Sequence, residues 1–293
     1  MKHLLGEFYI FRQPRLAIPF TFITFAKDYK NNRTDNTMKK SILLLFAVFA
    51  TLAASAQTKV EIDGIWYNLI TKGKVAEVIS SGGTEYSGSI TIPATVTHNG
   101  VAYSVTSIGN YAFYSCENLT AITIPESVTS IGNCAFYDCS SLTAITIPEG
   151  VTSIEDAAFI RCSNLTASTI PASVTTIRPE AFRDSGIRNI TFAENSQLKT
   201  LEEAAFNNCI SLLSIYLPAS VTSIRDGAFF NCRGLAITCM ANTPPTVAGE
   251  YTFYNVDKSI PIHVPASSVE AYRAAYGWGQ FTNILPVIAS GPC

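Results

Sequence analysis

"YAFYSCENLTAITIPESVTSI" occupies Tyr111–Ile131, and "CAFYDCSSLTAITIPEGVTSI" follows at Cys134–Ile154, 23 residues later. The Ala-Phe pair of this unit stands at Ala112-Phe113, Ala135-Phe136, Ala158-Phe159, Ala181-Phe182, Ala205-Phe206 and Ala228-Phe229, in steps of 23, 23, 23, 24 and 23 residues. A proline keeps the same beat at Pro125, Pro148, Pro171 and Pro218, with Ala193 in the missing slot. A fixed period of this length is the mark of a solenoid. One unit cannot bury its own apolar side, so units must stack on one another.

The unit divides into three parts. In "LTAITIP", Leu119, Ile122 and Ile124 are the inward letters, and the last two alternate with outward ones, as in a half-buried strand. Pro125 brings no N–H and ends the ladder. "VTSI" (Val128–Ile131) is a second short β-prone piece, and "AFYDC" is a turn or short helical corner that drives its phenylalanine inward. Six or seven coils at the ordinary strand spacing of about 4.8 Å predict a rod of roughly 30–35 Å. The fourth unit departs from the pattern. Ser185 stands in a cysteine slot, Ile187 comes one position early, and Leu198 and Leu201 take the Val and Ile places. An irregular coil with a bulging loop is expected there.

The joint recurrence of Ile-x-Ile-Pro, Ser-Ile and Ala-Phe-x-x-Cys over about Ile90–Ile237 resembles the BspA-type bacterial leucine-rich repeat. The segments "DGIWYNLI", "YSGSITIP" and "GVAYSVTSIGNYAF" are similar to the amino-terminal cap of exported Bacteroidetes members, and "VPASSVEAYRAAYGWGQFTNI" (Val264–Ile284) to their carboxy-terminal cap. The expected fold is a β-rich solenoid of about 23-residue units with short strands, short helical or 3-10 corners and a cap at each end. Caps answer a physical need, because end coils otherwise expose an apolar face and open strand edges. The resemblance implies a surface or secreted binding protein, in some members an adhesin. It supplies no binding-residue motif.

Around this core the chain organises as follows. Residues 38–56, "MKKSILLLFAVFATLAASA", read as a signal peptide: Lys39 and Lys40, an apolar run from Ile42 to Leu52, and a small-residue cleavage site at Ala54-Ser55-Ala56. The run is short for a membrane span, which needs about 20 residues. Cleavage would leave Gln57 first. Residues 1–37 are then a leader ahead of the true start, or an extension. The expected parts after cleavage are a cap and first coil over 57–104, the solenoid over 105–240 and a second cap over 241–293. The chain has 20 Lys+Arg and 22 Asp+Glu. Residues 1–56 hold 8 and 3 of them, so the remainder has 20 − 8 = 12 basic and 22 − 3 = 19 acidic residues, net −7. That balance opposes nucleic-acid binding, which needs a basic face.

Chemistry-bearing patterns are sparse. Cys116, Cys139, Cys162, Cys209 and Cys232 share one repeat position and should form a column near 5 Å apart, within disulfide range. A slot filled otherwise by Ser185 fits a small buried side chain, so reduced core cysteines are favoured over bridges, and bridges over metal. No Gly-x-Ser-x-Gly elbow, glycine-rich phosphate loop or His-Glu-x-x-His pair occurs. The expectation is a non-enzyme without cofactor or metal. The outward strand letters form a smooth ladder of Ala121/Thr123, Ala144/Thr146, Ala167/Thr169, Asn189/Thr191 and Ser214/Tyr216, in which Tyr216 is the exception and a candidate contact anchor. Arg178, Arg183, Arg188 and Lys199 are the other candidate binding residues, set among acidic ones in a ridge that is either mutually paired or a docking edge. Tyr114, Tyr137 and Phe230 are expected to shield the core. The partner expected is a protein or a glycan; a scaffold without a ligand is the competing reading.

Overall fold

A computed structural model describes residues 57–83 and 85–287; the candidate signal peptide and residues 1–37 lie outside the described residues. The outward–inward alternation of "LTAITIP" builds the first wall, here wall A. Its rungs are β4 (Gly88–Thr91), β7 (Leu119–Thr123), β9 (Ala144–Thr146), β11 (Ala167–Ile170), β13 (Asn189–Phe192), β15 (Ser214–Leu217), β17 (Ala236–Cys239), β19 (Ile262–Val264) and β20 (Ile284–Pro286). They run parallel and hydrogen-bond as three sheets, β4–β7, β9–β11–β13 and β15–β17–β19–β20, with equivalent letters opposed: Thr146 faces Thr169, Thr169 faces Thr191, and Tyr216 faces Thr238. Wall B is the "SI" piece of each unit: β8 (Ser130–Ile131), β10 (Ser153–Ile154), β12 (Thr176–Ile177), β14 (Thr200–Leu201), β16 (Ser223–Ile224) and β18 (Thr246–Val247), the last five forming one parallel sheet. This is the solenoid the period predicts.

Wall C is the Ala-Phe corner. It forms turns closed by bonds such as Phe113 O accepting from Cys116 N–H, with no helix. Each of the six Ala-Phe corners has a residue in the left-handed region two places before and two after its phenylalanine: Tyr111 and Ser115, Cys134 and Asp138, Ala157 and Arg161, Glu180 and Asp184, Ala204 and Asn208, Gly227 and Asn231. This geometry turns alternate N–H groups along the stacking axis. Phe113, Phe136, Phe159, Phe182 and Phe206 each donate to the Ala carbonyl of the next corner at 2.7–2.9 Å.

The interior is a set of columns. Phe113, Phe136, Phe159, Phe182, Phe206, Phe229 and Phe253 stack with centroids 5.1–5.9 Å apart and ring planes within 15°. The seventh ring extends the Ala-Phe series: Thr252 replaces its alanine and hides it from a search for the pair. Beside the rings runs the cysteine column. Cys139, Cys162, Cys209 and Cys232 donate Sγ–H to the carbonyls of Phe113, Phe136, Phe182 and Phe206 at 3.0–3.1 Å. Each thiol satisfies a backbone acceptor of the preceding coil. Burial pushes the Cys162 and Cys209 thiols up to about 12. The structure carries these cysteines as free thiols.

The irregular fourth coil keeps the core in place. Ser185 fills the cysteine slot, with its Oγ 3.5 Å from Cys209 Sγ, and Leu198 and Leu201 are fully buried. The coil tightens at Gly186, where a Cβ would stand 2.0 Å from the carbonyl oxygen of Ser163. It loosens at 193–197, where Gln197 N–H returns to Ala172 O.

Both ends of the ring column are covered. β1 (Gln57–Ile62), β2 (Ile65–Ile70) and β3 (Val75–Val78) form an antiparallel meander whose last strand pairs in parallel with β6 (Val101–Ile108); β5 (Thr95–His98) folds back on β6. From this end Tyr86 lies against Phe113 at 4.9 Å and ties itself down by donating its hydroxyl to Ile79 O and accepting from Trp66 N–H. At the far end Trp278 and Phe281 close on Phe253 at 5.3 and 5.2 Å. Helix α1 (Val269–Ala274) delivers Tyr272, whose hydroxyl donates to Ala241 O, and Trp278 Nε1 donates to Pro245 O. Lys258 donates its ammonium to Phe253 O and Val256 O and lies 5.3 Å over the Phe281 ring.

Candidate functional site

Wall A is a row of parallel strands in three hydrogen-bonded sheets, and its outward strand letters are small through β7, β9, β11 and β13. The fifth coil breaks the rule. Its outward slots hold Ile210, Leu213 and Tyr216, which are 61%, 63% and 53% exposed. The same slots hold Glu117, Ser140, Ser163, Gly186 and Arg233 in the column of Ile210; Thr120, Thr143, Thr166 and Arg188 in that of Leu213; and Thr123, Thr146, Thr169 and Thr191 in that of Tyr216. Three large apolar side chains thus leave the core together in one coil. Burying them costs little rotamer entropy for Tyr216 and releases water from this face, the combination found at interface anchors.

The five residues singled out from the sequence fall on three faces. Tyr216 lies on β15 in wall A, and Arg188 immediately precedes β13 on the neighbouring rung of the same wall, in the column of Leu213. Lys199 precedes β14 and Arg178 follows β12, both on wall B. Arg183 lies on wall C. The structure therefore brings Arg188 to Tyr216 and separates the other three from them. Pairing also divides the set. Arg178 meets Glu155 at 3.7 Å, and Arg183 meets Glu180 at 2.9 Å and Asp184 at 3.4 Å. Arg188 and Lys199 make no ion pair among the described residues. Exposed pairs of this kind contribute about 0–1 kcal/mol each, so their worth is in shaping the surface charge.

Ile210 and Leu213 are what sequence reasoning missed. "CISLLSIYL" contains two adjacent leucines, and only the column alignment says that Leu212 is the core letter and Leu213 the outward one. The outer aromatics of wall C behave differently. Tyr114 stacks on Tyr137 at 4.8 Å, Tyr111 meets Tyr114 edge-on at 5.8 Å, and the Arg161 guanidinium covers the Tyr137 ring at 5.9 Å. Phe230 and Tyr254 repeat the stack at 5.0 Å. These rings spend faces on one another, and Tyr114 remains about half exposed.

Among the described residues no group of three or more His, Cys, Asp or Glu side chains could hold a metal ion, and no helix is long and apolar enough to cross a membrane.

Comparison with known proteins agrees with this architecture. A model of the BspA type leucine rich repeat region matches six copies over residues 89–198 and 194–277. No curated protein matches the chain. Among solved structures, a leucine-rich repeat protein from Bacteroides ovatus is 21% identical over 78% of this chain and 76% of its own, with a TM-score of 0.48. One from Bacteroides capillosus is 31% identical over 46% of this chain and 98% of its own, with a TM-score of 0.42. The T. pallidum leucine-rich repeat protein is 23% identical over 68% and 91%, with a TM-score of 0.50, a likeness of fold. With the repeat model covering more than half of its length, the chain belongs to the BspA-type leucine-rich repeat family.

Proposed function

We propose that this is an exported, non-enzymatic recognition protein that holds a protein or glycan partner on wall A, with Tyr216, Leu213 and Ile210 as anchors and Arg188 as the flanking charge. One observation carries the reading: a single coil turns three large apolar side chains outward where the four preceding coils carry small or polar ones. Two of the three are aliphatic and offer no hydrogen bonds, which favours a protein surface over a sugar. Rigidity helps. Strands stacked in register lose little freedom on binding, so modest contacts are not offset by ordering cost. Export rests on the basic, apolar and small-residue pattern of residues 38–56. Amino-terminal sequencing of the secreted product tests it, with Gln57 expected first.

The test of recognition is capture by the immobilised full chain from panels of matrix proteins, microbial surface extracts and glycans. Tyr216→Ala combined with Leu213→Ala should abolish capture. Arg183→Ala, on wall C, should leave it intact. Clean negatives across all three panels would favour the scaffold reading, and equal capture by the wall A variant would remove the anchors.

A further inference from the structure

Following the short strands of wall B, the next letter of each coil forms a column: Gly109, Gly132, Glu155, Arg178, Glu202, Arg225. Four of these alternate in charge, with Arg178 at 3.7 Å from Glu155 and Arg225 at 3.8 Å from Glu202. On the amino-terminal side of Glu155 the alternation calls for a cation and finds glycine twice. The gap is a cleft of about 290 Å³ lined by Glu77, Asn110, Ser130, Gly132, Asn133 and Glu155 among others. Glu77 closes its other end: a Cβ on Gly109 would stand 3.0 Å from Glu77 Oε1, and one on Gly132 would stand 2.4 Å from Asn110 Oδ1. No side chain fits at these two positions without displacing the groups that line the cleft.

The polar groups here are short of donors. Glu77 takes one N–H from Asn68, at 3.3 Å, and Glu155 takes the Ser153 hydroxyl on one side and Arg178 on the other. Two carboxylates line one cleft, and a column of alternating charge breaks off at its edge. A ligand that completes this set must be cationic and rich in N–H donors. A guanidinium offers five such donors in a planar fork; an ammonium offers three from a point.

We propose that the cleft between Glu77 and Glu155 is a second binding site, independent of the wall A patch, which receives an arginine side chain of a protein partner. The incoming guanidinium takes the place of the cation missing from the column and bridges towards the two glutamates over the glycine floor.

Fluorescence anisotropy of a labelled Gly-Arg-Gly-Arg-Gly peptide with the full chain tests this, beside the same peptide carrying citrulline, which keeps the shape and loses the charge. The arginine peptide should bind in the millimolar range or better, and the citrulline peptide roughly tenfold or more weakly, as for loss of one partner of a charge-assisted pair. Glu77→Gln, which breaks no ion pair, and Asn133→Arg, which supplies the cation from within, should each weaken binding by about tenfold or more. Glu202→Gln, which breaks the equivalent pair outside the cleft, should change nothing. A lysine peptide that binds as well as the arginine one would overturn the guanidinium assignment. Equal binding of the citrulline peptide, retention by Glu77→Gln, or no binding at millimolar peptide would overturn the site. Unchanged thermal unfolding of each variant shows that it has folded. Tyr216→Ala should leave this binding unaltered, which separates the failure of either site from that of the other.

Discussion

Ser168 is a deliberate target for stabilisation. It stands in β11 where the unit has isoleucine, directly between Ile145 and Ile190 in the register of wall A. It is 5% exposed, and its Oγ has no hydrogen-bond partner among the described residues. Ser168→Ile replaces an unsatisfied hydroxyl by a side chain that its two neighbours already accommodate. Three additional buried carbons at about 0.8 kcal/mol each contribute roughly 2.4 kcal/mol. Relief of the orphaned hydroxyl adds about 1–3 kcal/mol. Against this stand about 0.5–1 kcal/mol of rotamer entropy and about 1–3 kcal/mol of overpacking where the walls have settled inward on the smaller residue. The net is a gain of roughly 2 kcal/mol, or about 4–8 °C in Tm for a folded unit of this size. Ser168→Ala separates the terms, since it removes the hydroxyl without filling the slot. Scanning calorimetry and urea titration with unchanged m-value are the assays. The order expected is isoleucine above alanine above serine. If isoleucine falls below both, the slot has closed around serine and the column does not hold one shape from coil to coil.

Three further outcomes follow from the same columns. Ala157 sits at φ 56, so Ala157→Gly should raise stability by about 1 kcal/mol, whereas Ala158→Gly next to it should lower stability by about 0.5–1 kcal/mol; chemical denaturation of both variants checks the corner geometry. The buried thiols keep their protons in the folded chain and lose them in the unfolded one near pH 8.5–9, so at higher pH the unfolded state binds fewer protons and stability falls. The slope is about 1.4 kcal/mol per pH unit for each thiol such as Cys162 or Cys209, until the folded thiol titrates near 12; Cys209→Ser should flatten the alkaline limb of a stability–pH curve by one such step. Phe182→Ala should cost about 3–5 kcal/mol and, by interrupting the ring stack at its fourth member, split thermal unfolding into two transitions; a single transition with a small shift would mean that the stack is not what couples the halves.

Much of the interior was legible in the sequence because a solenoid writes each contact several times. Phe136 and Phe159 announce one another at 23 residues, and Ser185 among the cysteines marks a small buried slot. What escaped was written once or written across parts. Phe253 lost its alanine signpost to Thr252. The left-handed corners are held by Tyr111, Cys134, Ala157 and Glu180, residues with no common propensity for that conformation, so only the stacked N–H ladder reveals them. Leu213 is ambiguous until the register separates it from Leu212. The charged residues of the middle coils read as one ridge, yet Arg178, Arg183 and Arg188 are carried onto different walls because the chain turns a corner between them. The Glu77–Glu155 cleft needed one carboxylate from the capping meander and another from the repeats, which no periodic pattern connects.

The two lids meet the molecule through a phenylalanine face: Tyr86 rests on Phe113, and Trp278 and Phe281 rest on Phe253. In each case the seat is a ring that every coil repeats. Genes with near-identical tandem units recombine unequally, and most proteins are ruined when they do. Here the gain or loss of one whole unit leaves both lids a suitable seat, so lineages can lengthen or shorten the array while the surface it displays is free to diversify.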